Sequence, residues 1–360
     1  GFAGRFGPGL PAASAGQMLF LLTAISKMKQ PEDGGSRIAI IHNGSPLFTG
    51  DAGSGPSEIR KYILENDLLE AIIALPNDIF YNTGIATYIW VLSNKKVGTK
   101  REGKVQLINA NGLYEKRRKA LGNKRNDIPE SAITEITRLY GDFVESEISK
   151  IFDTADFGYT KITVERPLRL NYAVSEVRIE FLTDPKTIPD LFDDLRDPEE
   201  RNGEGYNPIA PKIVAALRTM DQNKVWYDEK EFRDTLSHAL VSNNIPSSKF
   251  IVDLLVGPLS ETDPNAPIHL KRGKPQPDTS LRDTENVPLK EDIQTYFERE
   301  VLPFAPDAWI DAKKSKVGYE IPFTRYFYKY EAPQPSAEIM KEILAIEAEL
   351  DGALAEVFGA

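Results

Sequence analysis

Apolar positions along the chain change their period several times, and each change predicts an element. Met18, Leu19, Leu22, Ile25 and Met28 recur at helical spacing, so a helix is expected from Ser14 as its N-cap to near Gln30-Pro31. The run Arg37-Ile38-Ala39-Ile40-Ile41 predicts a buried strand. A loop carrying Gly50, Gly53 and Gly55 leads to a helix over about 57–66, and Leu69–Leu75 predicts a second buried strand. Residues 85–93 and 104–110 predict a third and a fourth. Strands with a helix between the first two have the rhythm of a mostly parallel α/β sheet. Only nine residues, 76–84, separate the second and third strands, too few for a crossover helix, so that pair is free to form an antiparallel edge.

Beyond residue 125 the pattern turns helical, with helices expected over 130–144, 211–220, 229–242, 247–256 and 290–301. Residues 257–288 are rich in Pro, Asp and Thr and read as a long linker or as an extended segment laid on a surface. Pro322 keeps the aromatic run 318–328 from being a central helix. In the last segment Ile339, Ile343, Ile346, Leu350, Ala353 and Val357 follow a 4-3-4-3-4 spacing behind Pro335 and Ser336, a heptad seam with Ser336 as cap. Such a seam either docks on a helical partner or packs back on its own domain. The expected fold class is α/β, divided into a sheet domain over 1–112, a mainly helical region over 113–335 with a Pro-rich linker near 257–288, and a docking helix over 336–358.

Composition narrows the chemistry. The chain has no cysteine and three scattered histidines, His42, His238 and His269, which excludes thiolate catalysis, zinc ribbons, iron–sulfur clusters and His-rich metal sites, and no metal is expected. No apolar run approaches the ~20 residues that cross a bilayer, so no membrane partner is expected and the chain reads as intracellular. A net charge of −10 argues against a free-standing non-specific nucleic-acid binder. Residues 95–125 break that pattern, with eleven basic residues against Glu102 and Glu115; a solvated surface is the ordinary reading of such a run. Gly1, Gly4, Gly7 and Gly9 with Pro8 and Pro11 read as a loop entered in mid-chain, so a fragment of a longer protein is expected. The turn Asp51-Ala52-Gly53-Ser54-Gly55 has the glycines of a phosphate- or adenosyl-binding loop. The nearest expected strand ends about ten residues earlier, with Pro46 between, so a surface turn is the better reading.

A resemblance carries the function further. Arg60-Lys61-Tyr62-Ile63-Leu64-Glu65-Asn66-Asp67-Leu68-Leu69-Glu70-Ala71-Ile72-Ile73-Ala74-Leu75-Pro76, continuing through Asn77-Asp78-Ile79-Phe80-Tyr81-Asn82-Thr83-Gly84-Ile85, resembles the modification subunit of type I restriction-modification systems. Three later blocks agree: Leu121-Gly122-Asn123-Lys124-Arg125-Asn126, the stretch from Phe157-Gly158-Tyr159 to Lys161-Ile162-Thr163-Val164-Glu165-Arg166-Pro167-Leu168-Arg169-Leu170, and Gly318-Tyr319-Glu320-Ile321-Pro322-Phe323. The resemblance implies the C-terminal half of a Rossmann-like methyltransferase sheet. It also implies methyl transfer from S-adenosylmethionine to adenine N6 in double-stranded DNA, and assembly with a specificity subunit, a restriction subunit and a second modification subunit in a prokaryotic cytoplasm. The family's cofactor loop and its Asn-Pro-Pro-aromatic turn are both missing, since Asn207-Pro208 is followed by Ile209, so the chain alone is expected to be inactive, with its cofactor site mostly upstream.

In related adenine methyltransferases an aromatic in the turn between the edge strands stacks on the base that leaves the duplex. Phe80, with Tyr81 beside it and Asn82, Thr83 and Gly84 shaping the turn, holds that place by resemblance; hydrophobic packing is the plain alternative. Arg117, Arg118, Lys119, Lys124 and Arg125 would then run along the DNA backbone. Ile339, Ile343, Ile346, Leu350 and Val357 would dock on the specificity subunit. The rival function is a non-catalytic assembly module that binds that subunit.

Overall fold

The computed structural model describes residues 4–12, 16–183, 209–330 and 332–358, without the side chains of 209, 210 and 351–358. The chain forms two compact units, Gly1–Tyr159 with Gly318–Ala360, and Thr160–Val317. The cuts fall at 159 and 317, whereas the sequence pattern alone suggested 112 and 335. Strand pairing beyond residue 112 and the return at Gly318 draw both segments into the first unit.

The first unit holds helices α1 (Gln17–Ile25), α2 (Ser45–Phe48), α3 (Gly55–Glu65) and α4 (Glu130–Asp142). Its strands are β1 (Arg37–Asn43), β2 (Leu69–Leu75), β3 (Thr87–Ser93), β4 (Lys104–Asn109), β5 (Glu115–Leu121), β6 (Lys124–Asp127) and β7 (Ser149–Asp153). Five of them make one sheet in the order β1-β3-β2-β4-β7. Only β2 and β4 pair in parallel; β1/β3, β2/β3 and β4/β7 are antiparallel. The fold is mixed α/β, and the mostly parallel sheet expected from the sequence is corrected. The short 76–86 link returns β3 antiparallel beside β2, and β3 lies inside the sheet instead of at its edge.

Burial follows from that order. β2, inside the sheet and covered on both faces, is buried at every residue. Ala71, Ile73 and Leu75 pack with Val91 and Ile108 against Leu139, Ile136 and Tyr140 of α4. Ile72, Ala74, Trp90 and Leu92 point to the opposite face, where buried side chains of α1 (Met18, Leu21, Leu22) and α3 (Ile59, Ile63, Leu64) lie. β1 was expected to be buried but is an edge strand that alternates between exposed and half-buried residues, with Ile41 facing water. α1 stops at Ile25 instead of near Gln30, and Ser14, its expected cap, lies outside the described residues.

Two charged groups inside this unit explain much of its sequence. Arg60, on α3, is fully buried and donates to the carbonyls of Pro46 (3.0 Å), Thr49 (2.9 Å), Gly50 (3.3 Å) and Tyr319. It therefore ties the α2 loop to the returning segment, and burial lowers its pKa to about 10. Lys96 is also buried, donating to Asp67 and to the carbonyls of Leu69 (2.8 Å) and Lys104 (2.8 Å).

The second unit mixes helices and strands, where a mainly helical region was expected. Tyr172, Phe232, Leu236, Leu240 and Leu255 belong to its larger core, among helices Glu176–Thr183, Ile209–Arg218, Glu229–Ser242 and Lys249–Val256. Strand Leu170–Ala173 pairs with Val225–Trp226 and Ser260–Thr262. A smaller core of Ile162, Val164, Val287, Phe297 and Val301 joins the strand entered at Gly158 to helix Ile293–Glu300. The Pro-rich segment 257–288 is no free linker. Its backbone pairs with the Arg166–Leu170 run, as in His269 N to Leu168 O (2.8 Å), Leu168 N to Gln276 O (2.8 Å) and Asp278 N to Arg166 O (2.8 Å).

The C-terminal helix spans Ser336–Phe358, and Pro335 rather than Ser336 accepts the first helical bonds, from Glu338 N (2.9 Å) and Ile339 N (3.2 Å). Ile339, Ile343, Ile346 and Leu350 are exposed, as are Met340 and Leu344; the side chain of Val357 lies outside the described residues. Among the described residues no helix is long and apolar enough to cross a membrane.

Candidate nucleic-acid interface

β1, β2 and β4 run the same way, so the loops at their C-terminal ends share one edge of the sheet. Loop 76–86 leaves β2 there. After β4 the chain forms a two-stranded hairpin of β5 and β6, joined at Leu121↔Lys124 by a two-residue turn. Gly122 takes the first turn position with φ +61°, the geometry that matches the natural twist of a hairpin.

The hairpin is docked on the loop. Asn123 N donates to Tyr81 O (2.9 Å), and Arg125 N (2.8 Å) and Asn126 N (3.1 Å) both donate to Asp78 O. The nearly buried Asn126 adds Nδ2 to Asn77 O at 3.0 Å. Asp78 sits at φ +57°, which turns its carbonyl toward the hairpin. Gly122 is required twice over, because any Cβ there would lie 2.5 Å from Tyr81 O. Gly84 is held as tightly, since a Cβ would meet Asp78 Oδ1 at 2.4 Å. Thr83 Oγ1 accepts from Ile85 N (3.4 Å), and Asn82 is exposed.

The two aromatic residues of the loop differ. Phe80 is half-buried, whereas Tyr81 is 66% exposed, with Lys124 Nζ 5.6 Å above its ring. The sequence placed Phe80 first; the structure offers Tyr81 to solvent.

The basic run 95–125 divides into two populations. Lys96 is buried, Lys100 and Arg101 donate to the carbonyls of Asp142 and Tyr140 at the end of α4, and Lys104 pairs with Asp153. These four hold the sheet together. On the hairpin, Arg117 and Lys124 share Asp127, and the hydrogen bond from Lys124 leads the causes that hold the Asp127 carboxyl below its usual range. Arg118, Lys119 and Arg125 are exposed with no carboxylate partner among the described residues. So the loop and hairpin bring together one exposed aromatic and three free cations, a surface suited to a polyanion that carries stackable rings.

The turn Asp51–Gly55 does not make a cofactor cradle. An added Cβ at Gly55 would lie 2.0 Å from Leu10 O, and one at Gly9 would lie 2.4 Å from Gly55 O, so the chain's own backbone fills the start of α3. S-adenosylmethionine, which the resemblance implies, finds no pocket at this turn.

Residues 3–163 match the model of the N-6 DNA Methylase family. These residues belong to that family. The chain is similar to the type I restriction enzyme MjaVII methylase subunit of Methanocaldococcus jannaschii, 33% identical over 51% of this chain and 30% of the relative. It is also similar to the MjaIX methylase subunit of the same organism, 30% identical over 35% of this chain and 22% of that one. The matches therefore span less than a third of these curated relatives. Among solved structures, a type I restriction-modification methyltransferase subunit from Streptococcus thermophilus is 28% identical, with 43% of this chain and 31% of that chain covered and a TM-score of 0.37.

Sequence reasoning missed three residues that build the methylase surface: Asp78, Gly122 and Asn126. Gly122-Asn123 between two polar runs is the signal that could have exposed the hairpin.

Proposed function

We propose that this chain is the DNA-facing part of a type I modification subunit, within an enzyme that methylates adenine N6 in double-stranded DNA. The observation that carries the reading is the docking of hairpin on loop, which sets Tyr81 beside Arg118, Lys119 and Arg125. In that role the hairpin cations contact phosphates and set register, and the loop aromatics stack on unstacked bases. The methyl donor, S-adenosylmethionine by family, is held outside the Asp51–Gly55 turn, so the chemistry assigned to these residues is binding and positioning. Specificity and restriction subunits, and a second modification subunit, are the partners the reading requires.

In the complete enzyme, Phe80→Ala and Tyr81→Ala are expected to slow methylation of duplex DNA, at least one of them by ~10-fold or more, if stacking is worth ~1–3 kcal/mol per base. Unchanged kinetics in both variants would sink the stacking role. Replacing Arg118, Lys119 and Arg125 with glutamine should flatten the salt dependence of DNA binding, the logarithmic slope falling by about 0.9 per lost phosphate contact. An unaltered slope would show that the hairpin does not touch DNA. The rival reading, an assembly module without a part in turnover, is favoured by the exposed apolar face of the C-terminal helix. Supplying the cofactor-binding half in trans separates the two: recovery of methyl transfer supports the first, and complex formation without turnover supports the second.

A further inference from the structure

A cavity of about 220 Å³ opens at the root of the loop, on the edge of the sheet where the hairpin also stands. Its floor is the end of β2 (Ala74, Leu75) and the residues flanking the end of β4 (Asn109, Asn111). Ala86 and Tyr88, where the loop rejoins the sheet, form one wall. The other wall is Phe323, Thr324 and Phe327, from the segment that returns to the unit at Gly318.

The chemistry of this lining is selective. No ionised side chain lines the cavity, so it is not built for a phosphate or a carboxylate. Its walls are aromatic: Tyr88 and Phe323 meet edge to face with centroids 5.3 Å apart, and Phe323 and Phe327 lie 5.0 Å apart at 31°. Its polar groups are two amides and a hydroxyl. Asn109 Oδ1 accepts from Asn111 N (3.2 Å), which orients that amide with its Nδ2 donor still available. Side-chain amides match the donor and acceptor edges of nucleobases. The volume lies below the roughly 300–1,000 Å³ typical of pockets for drug-sized ligands, which suits one flat heterocycle and is too small for a nucleotide cofactor. Arg60 fixes the returning segment through Tyr319 O, and Ile321 N donates to Leu47 O (2.8 Å), so the wall of Phe323 and Phe327 is tied to the unit.

We propose that this cavity receives one unstacked nucleobase from the DNA held by loop 76–86 and the hairpin. The inference rests on the proposed function and adds a second binding place to it, behind the loop instead of at its tip. An aromatic slot with amide donors would hold a base that has left the stack while Tyr81 and Phe80 act at the duplex. The base comes from one of two sources, the adenine that is methylated or the thymine left opposite it.

Photocrosslinking in the complete enzyme on its own duplex tests this. The target thymine partner is replaced by 5-iodouracil in one duplex and the target adenine by 8-azidoadenine in another, and crosslinked peptides are identified by mass spectrometry. Crosslinks to Tyr88, Phe323 or Phe327 are expected from one of the two probes, and the probe that gives them identifies the base. Asn111→Ala, an exposed position, should lower that crosslink about fivefold or more with DNA binding retained. If both probes crosslink only to residues of the loop tip or hairpin, the cavity is not a base site and the inference falls, while the proposed function stands. If neither probe crosslinks to this chain at all, both fall together.

Discussion

Replacing Arg60 with methionine is expected to lower the stability of the first unit by about 3–5 kcal/mol, the largest loss anticipated for any single side chain here. Methionine occupies a similar volume, so the effect isolates the hydrogen bonds. Four carbonyls, of Pro46, Thr49, Gly50 and Tyr319, lose a charged donor at once. A buried carbonyl left without a partner costs about 1–3 kcal/mol, and those nearest the surface recover part of that from water. Urea unfolding, followed with amide exchange of β1 and β3, reads the loss. Arg60→Lys should fall between, because one ammonium cannot reach four acceptors held in a fan. A change below about 1 kcal/mol in the methionine variant would mean that the α2 loop and the returning segment are held by other contacts.

Truncation at Pro335 is expected to abolish co-purification with the specificity subunit in the assembled enzyme. Ile339, Met340, Ile343, Leu344, Ile346 and Leu350 are 42–57% exposed in this chain, and they cover a stripe wider than a two-helix seam needs. Fully burying an aliphatic side chain of this size is worth about 1.5–3 kcal/mol, and roughly half of that remains to be gained at each of these positions. Several kcal/mol of gross association therefore reside on one helix, and nothing among the described residues outside it compensates for its removal. Ile343→Asp should weaken the complex by tenfold or more without shortening the chain. An intact complex after truncation would refute the docking role.

How far the sequence could be read depended on whether a signal was local. Leu69–Leu75 is apolar at all but one position, and its strand lies where the pattern put it; so do helices Glu229–Ser242 and Lys249–Val256, whose caps Asp228 and Ser248 stand at their starts. Sheet order was not legible, because it depends on which strand each edge meets after a turn. β1 carries four apolar residues in a row yet lies at an edge, and only its single neighbour, β3, explains why. Charge concealed β5, since Lys116, Arg117, Arg118 and Lys119 show no alternation. The same run hid the buried Lys96, which composition counts with the surface cations. For the candidate site, the loop and the basic segment were both legible; their union through Asp78 was not, because it rests on a positive φ and a backbone carbonyl. Nor could spacing decide which of Phe80 and Tyr81 faces water, as neighbours in a turn have no fixed period.

The return of the chain at Gly318 has a consequence for synthesis. Arg60 and its partner Tyr319 O are 259 residues apart, and the residues between them include the whole second unit. At roughly 5–20 residues per second, a nascent chain would hold the Arg60 side chain without that acceptor for about 13–50 s. During that interval the pocket on α3 is open and its guanidinium must remain hydrated, so the first unit begins folding early and closes late. A ribosome stalled between 160 and 317 would present a sheet whose last wall has not been translated.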